Sequence, residues 1–489
     1  MRLFEKKTSK KQDSAKNSAK KSNKNILRLT YMIVVLFVVM IGYEGYFLFF
    51  QREDVINNTY NARLDSFSDR VVRGKIRSSN GTVLAETLVG EAGEETRSYP
   101  YGPVFAHVVG YSARGKTGLE AAGNFYMLRS HINLVERTVR ELGGGKNPGD
   151  DIYTTLDVEL QQAAWDALGD RKGAVVVMEP DTGKILAMVS KPGYDPNTLN
   201  QDWDWMVEDV DNQARLLNRA AQGLYPPGSV FKLVALLEYI RENPNGYEDF
   251  HFDCDGIYEE GEYSIQCFNQ TAHGSMNLKE AFANSCNGAF ASLGLRLDKG
   301  QTRKTAEELL YNSQLPLAIA YSKSLFQLKE DGDVWETLQT YIGQGKTQVT
   351  PMHTAMITAA IANGGILMKP YLMDHVEHAG GETVRQFTPQ IEKNLMTAEE
   401  AAILTDMMAA VVTMGTGSAV NTEGYTVAGK TGSAEFEKGR ETHGWFTGFA
   451  PTDQPELVVT VIVEESGSGG KTAAPVARAV FDVWFGRGF

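Results

Sequence analysis

Three short strings containing serine or lysine, far apart in this chain of 489 residues, constrain its fold more than any other feature. They are Ser229-Val-Phe-Lys232, Ser285-Cys-Asn287 and Lys430-Thr-Gly432. A serine hydroxyl is a poor nucleophile until a base takes its proton, and a lysine is such a base only when its pKa is lowered. Because these groups act together only within one cleft, residues 156–489 are predicted to form one large domain, although their number alone would allow two.

Local context shows which copy of the first string is functional, because S-x-x-K also occurs at Ser18–Lys21 and Ser468–Lys471. Ser229 follows a Pro-Pro-Gly turn and precedes the apolar run Val230–Ile240, so it is predicted to lie in the first turn of a buried helix. Lys232 would lie on the same face of that helix. The other two serines lie in a lysine-rich tail and a glycine-rich loop, so Ser229 is the predicted nucleophile.

The second and third strings supply partners for this serine. Ser285 is interpreted as a proton relay between the two lysines, and Asn287 as an amide that holds the substrate peptide. The apolar helix would desolvate Lys232, and Lys430 would be a second cation near it. Both effects lower the pKa of a lysine.

The third string is predicted to lie on an edge strand. Gly432 would let a substrate backbone approach closely there, because glycine has no side chain in the way. Thr431, together with Lys430, would bind a carboxylate.

In this order the strings resemble the S-x-x-K, S-x-N and K-T-G set of the penicillin-recognising serine acyl-transferases. The chain as a whole resembles a class B penicillin-binding protein, a membrane-anchored D,D-transpeptidase of peptidoglycan synthesis. Ser78-Ser79 departs from the family's pattern, which often has Asp-Arg there. The further matching strings are Arg73–Ile76, Asn80–Ala85, Thr155–Asp157, Leu160-Gln161, Gly183–Met188, Tyr194–Asn197, Asn218–Ala220, Asn363–Gly365 and Trp445–Pro451.

The resemblance implies a mixed α/β fold, in which a mostly antiparallel sheet is flanked by helices on both faces. It implies an oxyanion hole made by the backbone N–H groups of Ser229 and Ser433, a D-Ala-D-Ala stem peptide as substrate, and inhibition by β-lactams. The chain before the catalytic domain is too short for the glycosyltransferase domain of class A relatives. A separate polymerase, by analogy a SEDS-type glycosyltransferase, would therefore supply the glycan. The chemistry requires neither a cofactor nor a metal.

Alternating and apolar patterns predict the main elements of the catalytic domain. Gly173–Met178 and Lys184–Val189 read as a buried β-hairpin. Gly444–Phe449 and Leu457–Val463 read as further strands, with Trp445 and Phe446 in the core or the wall of the cleft. Ala473–Trp484 reads as a closing helix.

Charge and hydropathy predict how the chain is placed at a membrane. The first 28 residues carry a net charge of +8, which leaves −21 for the rest of a chain whose total is −13. Residues 29–50 form an apolar stretch long enough for one bilayer crossing, and the positive-inside rule puts the basic tail in the cytoplasm. The predicted organisation is a disordered cytoplasmic tail (1–28), an uncleaved anchor (29–50), an α+β pedestal of the dimerisation type (51–155) and the transpeptidase domain (156–489). The tail needs no nucleic-acid partner, because topology and anionic lipid explain its charge.

Three cysteines in 489 residues exclude a disulfide-dense scaffold. Cys254 and Cys267 flank a segment that resembles a hairpin, and outside the cell they could form a bridge or remain free. Cys286 is expected to pack as a small apolar residue. His375-Val-Glu-His378 is interpreted as ordinary strand or loop rather than a metal pair.

Three other activities use similar parts. A D,D-carboxypeptidase would pass the acyl group to water, but the pedestal strings and the anchor favour a transpeptidase. A class A β-lactamase would need an E-x-x-L-N loop, and Tyr311 stands in place of its asparagine after Glu307–Leu310. A β-lactam sensor usually has several membrane spans and a cytoplasmic effector domain. This sequence has one predicted span and a tail of 28 residues, which is too short for such a domain. The second K-T-G string, at Lys116–Gly118, continues into Leu119-Glu120 and resembles a non-catalytic G-L-E string.

Overall fold

A computed structural model describes residues 2–47, 69–209, 213–437 and 439–487, with side chains from residue 23 onward. The chain divides into two compact units, residues 1–61 and 62–489. The α-helices are α1 (Arg2–Tyr46), α2 (Ala106–Val109), α3 (Gly118–Ala122), α4 (Asn124–Met127), α5 (Leu134–Leu142), α6 (Val158–Leu168), α7 (Leu199–Glu208), α8 (Lys232–Glu242), α9 (Leu278–Ala283), α10 (Asn287–Gly294), α11 (Lys299–Glu308), α12 (Val334–Tyr341), α13 (Pro351–Ala362), α14 (Ala398–Thr413) and α15 (Gly469–Phe485).

The β-strands of the described residues lie in the second unit. They are β1 (Val71–Val72), β2 (Ile76–Arg77), β3 (Val83–Val89), β4 (Glu95–Ser98), β5 (Asn147–Pro148), β6 (Asp151–Thr154), β7 (Gly173–Met178), β8 (Ile185–Lys191), β9 (His251–Cys254), β10 (Ile257–Glu260), β11 (Tyr263–Gln266), β12 (Gly274–Asn277), β13 (Ile366–Met368), β14 (Met373–Glu377), β15 (Thr383–Gln386), β16 (Ile391–Asn394), β17 (Ala428–Ala434), β18 (His443–Ala450) and β19 (Leu457–Val463).

The first unit contains the long helix α1. Its segment Asn23–Tyr46 is long and apolar enough to cross a membrane. This segment overlaps the predicted anchor, whose residues 48–50 lie outside the described part of the chain. The prediction of a disordered basic tail is wrong, because α1 begins at Arg2. Lys, Ala and Gln favour helix, and no glycine or proline interrupts the sequence before Gly42.

A five-stranded sheet in the order β17-β18-β19-β7-β8 forms the centre of the second unit. All neighbouring strands are antiparallel, and the predicted hairpin is its β7–β8 pair. Helices α6 and α15 pack on one face of the sheet, and α13 packs on the other. The predicted mixed α/β fold with helices on both faces is therefore confirmed. Because both faces are covered, every residue of β19 is buried.

A second sheet, of six strands, has the order β15-β14-β6-β2-β3-β4. Strands β2, β3, β4 and β6 come from the predicted pedestal segment, whereas β14 and β15 come from far along the catalytic segment. The pedestal and catalytic segments are therefore joined through one hydrogen-bonded sheet. His375 lies on β14, as the strand interpretation predicts, and its ring nitrogens contact carboxylates of Asp374 and Glu377.

A buried ion network in the second unit accounts for the string that begins at Arg73 and for the second K-T-G string, at Lys116–Gly118. Arg73 Nε donates to Glu120 at 2.6 Å, and Arg97 Nε donates to the other carboxylate oxygen at 2.7 Å. Glu120 is fully buried. The second K-T-G string ends at Gly118, the first residue of α3, so it leads into the helix that carries Glu120. Its role is structural.

Candidate active site

Ser229 lies in a 3₁₀ turn, Gly228–Phe231, that leads directly into the buried helix α8. The apolar run after Ser229 makes this helix part of the core, so every residue from Lys232 to Ile240 is buried. The predicted position of Ser229 at the start of a buried helix is confirmed. Its side chain is half-buried, whereas Lys232, one turn further along, is fully buried.

Two glycines let a remote loop pack closely against the turn that carries Ser229. Gly228 has φ +53°, and Gly343 has φ +81°. A Cβ atom at Gly343 would lie 1.7 Å from the carbonyl oxygen of Gly228, so the backbone would have to move to avoid the clash. The Gly228 N–H also donates to the Gly343 carbonyl at 2.9 Å. These contacts hold the backbone immediately before Ser229 in one position.

The structure brings the second string to Lys232. Lys232 Nζ donates to the Ser285 carbonyl at 2.7 Å and to Asn287 Oδ1 at 2.8 Å. Asn287 Nδ2 donates to the Gln266 carbonyl at 2.9 Å, which leaves one N–H of the amide for a substrate. Asn287 therefore also orients the lysine, a role that the sequence did not predict.

Ser285 lies between the two lysines. Lys430 Nζ donates to Ser285 Oγ at 2.8 Å, and Lys232 Nζ lies 3.4 Å from the same oxygen. Ser285 has φ +56°, in the left-handed region that non-glycine residues seldom adopt. A hydroxyl both accepts and donates hydrogen bonds, so one held between two amines can pass a proton from one to the other, which agrees with the relay interpretation.

Burial lowers the pKa values of both lysines. It lowers the pKa of Lys232 from 10.5 to about 8. Burial also lowers the pKa of Lys430 well below its usual value, and the charge of Lys232 lowers it further. Desolvation penalises an ammonium group, and two cations penalise each other. Burial in the apolar helix, as predicted, is thus the main cause for Lys232.

The third string lies on β17, which is an edge strand of the central sheet as predicted. A Cβ atom at Gly432 would lie 3.4 Å from the Ser229 nitrogen and 3.2 Å from Trp445 Cβ, so this strand runs close beside the turn that carries Ser229. Thr431 Oγ1 pairs with Thr416 Oγ1 at 2.5 Å. Ser433 follows on the same strand. Trp445 is fully buried, in agreement with a core role.

The site contains residues that sequence reasoning missed. Gly343 and Thr416 come from loops that show no catalytic pattern, although the first lies in the glycine-rich segment Gly343–Gly345. Both are brought to the site by chain segments remote from the three strings.

Comparisons with known proteins agree with this geometry. Residues 173–482 match the penicillin binding protein transpeptidase domain, and residues 73–152 match the penicillin binding protein A dimerisation domain. The chain belongs to the penicillin-binding protein transpeptidase family. Its enzyme class is that of the D,D-transpeptidases of this family.

The similar proteins include a relative from Mycolicibacterium smegmatis, the peptidoglycan D,D-transpeptidase PbpA. It is 32% identical over 493 residues, which cover 94% of this chain and 98% of that protein. A solved D,D-transpeptidase domain from Eggerthella lenta is 33% identical with a TM-score of 0.76, covering 85% of this chain and 99% of that one. Penicillin-binding protein A from Mycobacterium tuberculosis, solved as an imipenem acyl-enzyme complex, is 31% identical with a TM-score of 0.76, covering 86% and 99%.

Proposed function

We propose that this protein cross-links peptidoglycan stem peptides through an acyl-enzyme on Ser229. The observation that carries the proposal is the chain of contacts from Lys232 through Ser285 to Lys430, set beside a half-buried serine at a helix start. A β-lactam acyl-enzyme has been solved for a relative that covers most of this chain.

In the first half-reaction, Ser229 Oγ attacks the carbonyl between two D-alanines while neutral Lys232 takes the hydroxyl proton. The backbone N–H groups of Ser229 and Ser433 stabilise the oxyanion. The proton passes through Ser285 to the leaving amine, the C–N bond breaks, and D-Ala departs. Asn287 and Thr431 hold the peptide.

In the second half-reaction, an amine of a neighbouring stem peptide attacks the ester, and the Ser229 oxygen leaves with its proton restored. A β-lactam ring opens on the same serine and leaves an acyl group that blocks the site.

The placement of the molecule forms part of the proposal. Residues 1–28 lie in the cytoplasm, the apolar part of α1 crosses the membrane once, and residues 51–155 raise the catalytic domain (156–489) from its outer surface. No glycosyltransferase activity is assigned to this chain, and a SEDS-type glycosyltransferase supplies the glycan strand.

Labelling with a fluorescent penicillin tests the nucleophile. We expect a stable covalent band on the purified wild-type protein and none on Ser229→Ala. Ser468→Ala, which alters another S-x-x-K serine, is the matched control and should label like the wild type. A band that persists on Ser229→Ala contradicts the assignment, and a transient wild-type band indicates a β-lactamase. Product analysis with an added acceptor amine separates cross-linking from carboxypeptidase hydrolysis.

A further inference from the structure

All three cysteines of the chain meet at one place beside the second string. Cys254 Sγ lies 3.7 Å from Cys267 Sγ, and Cys267 Sγ lies 3.7 Å from Cys286 Sγ. The Nδ1 atom of His273 lies 3.4 Å from Cys254 Sγ. The four side-chain atoms all lie within 4.8 Å of one another.

These distances fit a single tetrahedral metal ion. With metal–sulfur bonds of about 2.3 Å, two thiolates of a tetrahedral zinc site lie about 3.8 Å apart, and a thiolate and an imidazole nitrogen lie about 3.6 Å apart. Three thiolates and one imidazole form one of the ligand sets typical of structural zinc, and soft thiolates disfavour magnesium and calcium. A Cys254–Cys267 disulfide would instead need the two sulfurs at about 2.05 Å and would leave Cys286 and His273 unused.

We propose that Cys254, Cys267, His273 and Cys286 bind one structural zinc ion. The spacing C-x₁₂-C-x₅-H-x₁₂-C is the signal that the sequence reasoning overlooked. With four protein ligands the site is closed, so the ion takes no part in the reaction at Ser229.

The local fold gives the ion a structural role. Cys254 ends β9, Cys267 follows β11, and His273 precedes β12, so three ligands come from the two ribbons β9–β12 and β10–β11. Two-stranded ribbons are marginal by themselves. The fourth ligand, Cys286, caps the N-terminus of the core helix α10, and its sulfur accepts from the Ala289 N–H at 3.4 Å. The ion would thus fasten both ribbons to the core.

The site also lies next to the catalytic groups. Cys286 stands between Ser285 and Asn287, and Gln266, whose carbonyl holds the Asn287 amide, precedes Cys267. Cys286 would therefore hold the backbone that carries the two partners of Lys232. Cys267 would hold the neighbouring backbone, whose carbonyl binds the Asn287 amide. A misplacement of catalytic groups by about 1 Å can slow a reaction about 100-fold.

Metal analysis of the full-length protein tests the proposal. The protein is purified in detergent through a tag without histidines, with no added metal and no chelator, and zinc is measured by mass spectrometry. We expect about one zinc per chain, as in a closed structural site. Cys267→Ser and His273→Ala should lower the zinc content at least about tenfold. His251→Ala is the matched control, because His251 lies on β9 with an exposed ring, and it should retain the metal.

A thiol count separates zinc from a disulfide without any variant. Wild-type protein, denatured with a chelator but without a reductant, should yield all three thiols. A yield of one thiol means that two cysteines are bridged and overturns the proposal. Folded wild-type protein without zinc overturns it as well, as does equal metal loss in His251→Ala and His273→Ala.

The effect on catalysis rests on the proposed function and is measured separately. Removal of the zinc should slow acylation by penicillin at least about tenfold, because the groups that contact Lys232 would no longer be held in position. An unchanged acylation rate in zinc-free protein would overturn the positioning role while the metal content still establishes the site. Failure of Ser229 to label in the zinc-loaded protein would count against the proposed function instead.

Discussion

At the scale of single residues, the burial of Lys232 supports the role of base that we propose for it. Its ammonium group has no exposed surface, and its hydrogen bonds go to acceptors of the second string. Burial lowers its pKa to about 8, so a substantial fraction is neutral near physiological pH. An unperturbed lysine would be almost wholly protonated there.

The pH dependence of acylation follows from this pKa. In the proposed mechanism only neutral Lys232 accepts the Ser229 proton, so the acylation rate should rise with pH, with a midpoint of about 8, and level off above it. Stopped-flow measurements with a chromogenic β-lactam between about pH 6 and 10 check the profile. A rate independent of pH across this range would contradict the role of Lys232. Lys232→Arg keeps a cation that does not deprotonate and should lower the rate at least about 100-fold at every pH.

A second prediction concerns Gly343. Gly343→Ala adds a Cβ atom 1.7 Å from the Gly228 carbonyl, so the turn before Ser229 must move. Gly345→Ala is the matched control, because its φ of +75° imposes similar backbone strain while its Cβ would make an ordinary contact at 3.5 Å. We expect both variants to lose about 1–2 kcal/mol of stability from strain, and Gly343→Ala to lose about 1–3 kcal/mol more from the clash.

Chemical denaturation and penicillin labelling measure the two effects of the Gly343 change. Acylation should slow in Gly343→Ala and stay unchanged in Gly345→Ala. Equal effects of the two variants on stability and acylation would show that the contact with Gly228 has no special importance.

At the scale of elements, buried charges connect the strands and helices of the pedestal segment. Burial by itself would raise the pKa of Glu120, but the guanidinium groups of Arg73 and Arg97 hold it below its usual value. Breaking a buried pair leaves the remaining charge without compensation, whereas exposed pairs contribute little.

Substitution of Glu120 tests this difference. Glu120→Gln should cost about 3–5 kcal/mol, because two arginines lose their counter-charge. Glu136→Gln removes an exposed partner of Arg140 on α5 and should change stability by no more than about 0.5 kcal/mol. The free energy of unfolding of both variants is measured by denaturant titration. Similar small losses would show that the network contributes little.

The depressed pKa of Glu120 also has a pH consequence. Stabilisation by this carboxylate is present above its unfolded pKa and is lost as pH falls through the lower folded value. The difference in stability between wild type and Glu120→Gln should therefore shrink under strongly acidic conditions. A difference that grows on acidification would contradict this sign.

At the scale of the whole molecule, the two compact units differ in composition and role. The apolar segment of helix α1 is not buried against other residues, whereas the second unit has a large hydrophobic core. Solved structures of relatives cover 85% and 86% of this chain.

Removal of the first unit tests their independence. A chain that starts at residue 62 should remain in the soluble fraction and react with penicillin at the rate of the full-length protein. The full-length protein should sediment with membranes, since its apolar segment is long enough to cross one. A truncated protein that folds but reacts much more slowly would show that the anchor contributes to the site.

Local patterns determined much of this molecule. The β7–β8 hairpin, the strand β19 and the buried helix after Ser229 were predictable, because alternation, apolar runs and turn residues act within a few neighbouring positions. The three catalytic strings were recognisable for the same reason, since each is a short pattern with its own turn or helix.

Only the tertiary structure decided the remaining features, because they join residues that no local pattern connects. This group includes the left-handed backbone of Ser285, the approach of Gly343 to Gly228, and the addition of β14 and β15 to the pedestal sheet. The hydrogen bonds of Lys232 to the Ser285 carbonyl and to Asn287 also required the packed fold, because these partners lie far along the chain. The meeting of three cysteines and His273 likewise depends on the folding of two ribbons against α10, so it appears only when distant segments pack together.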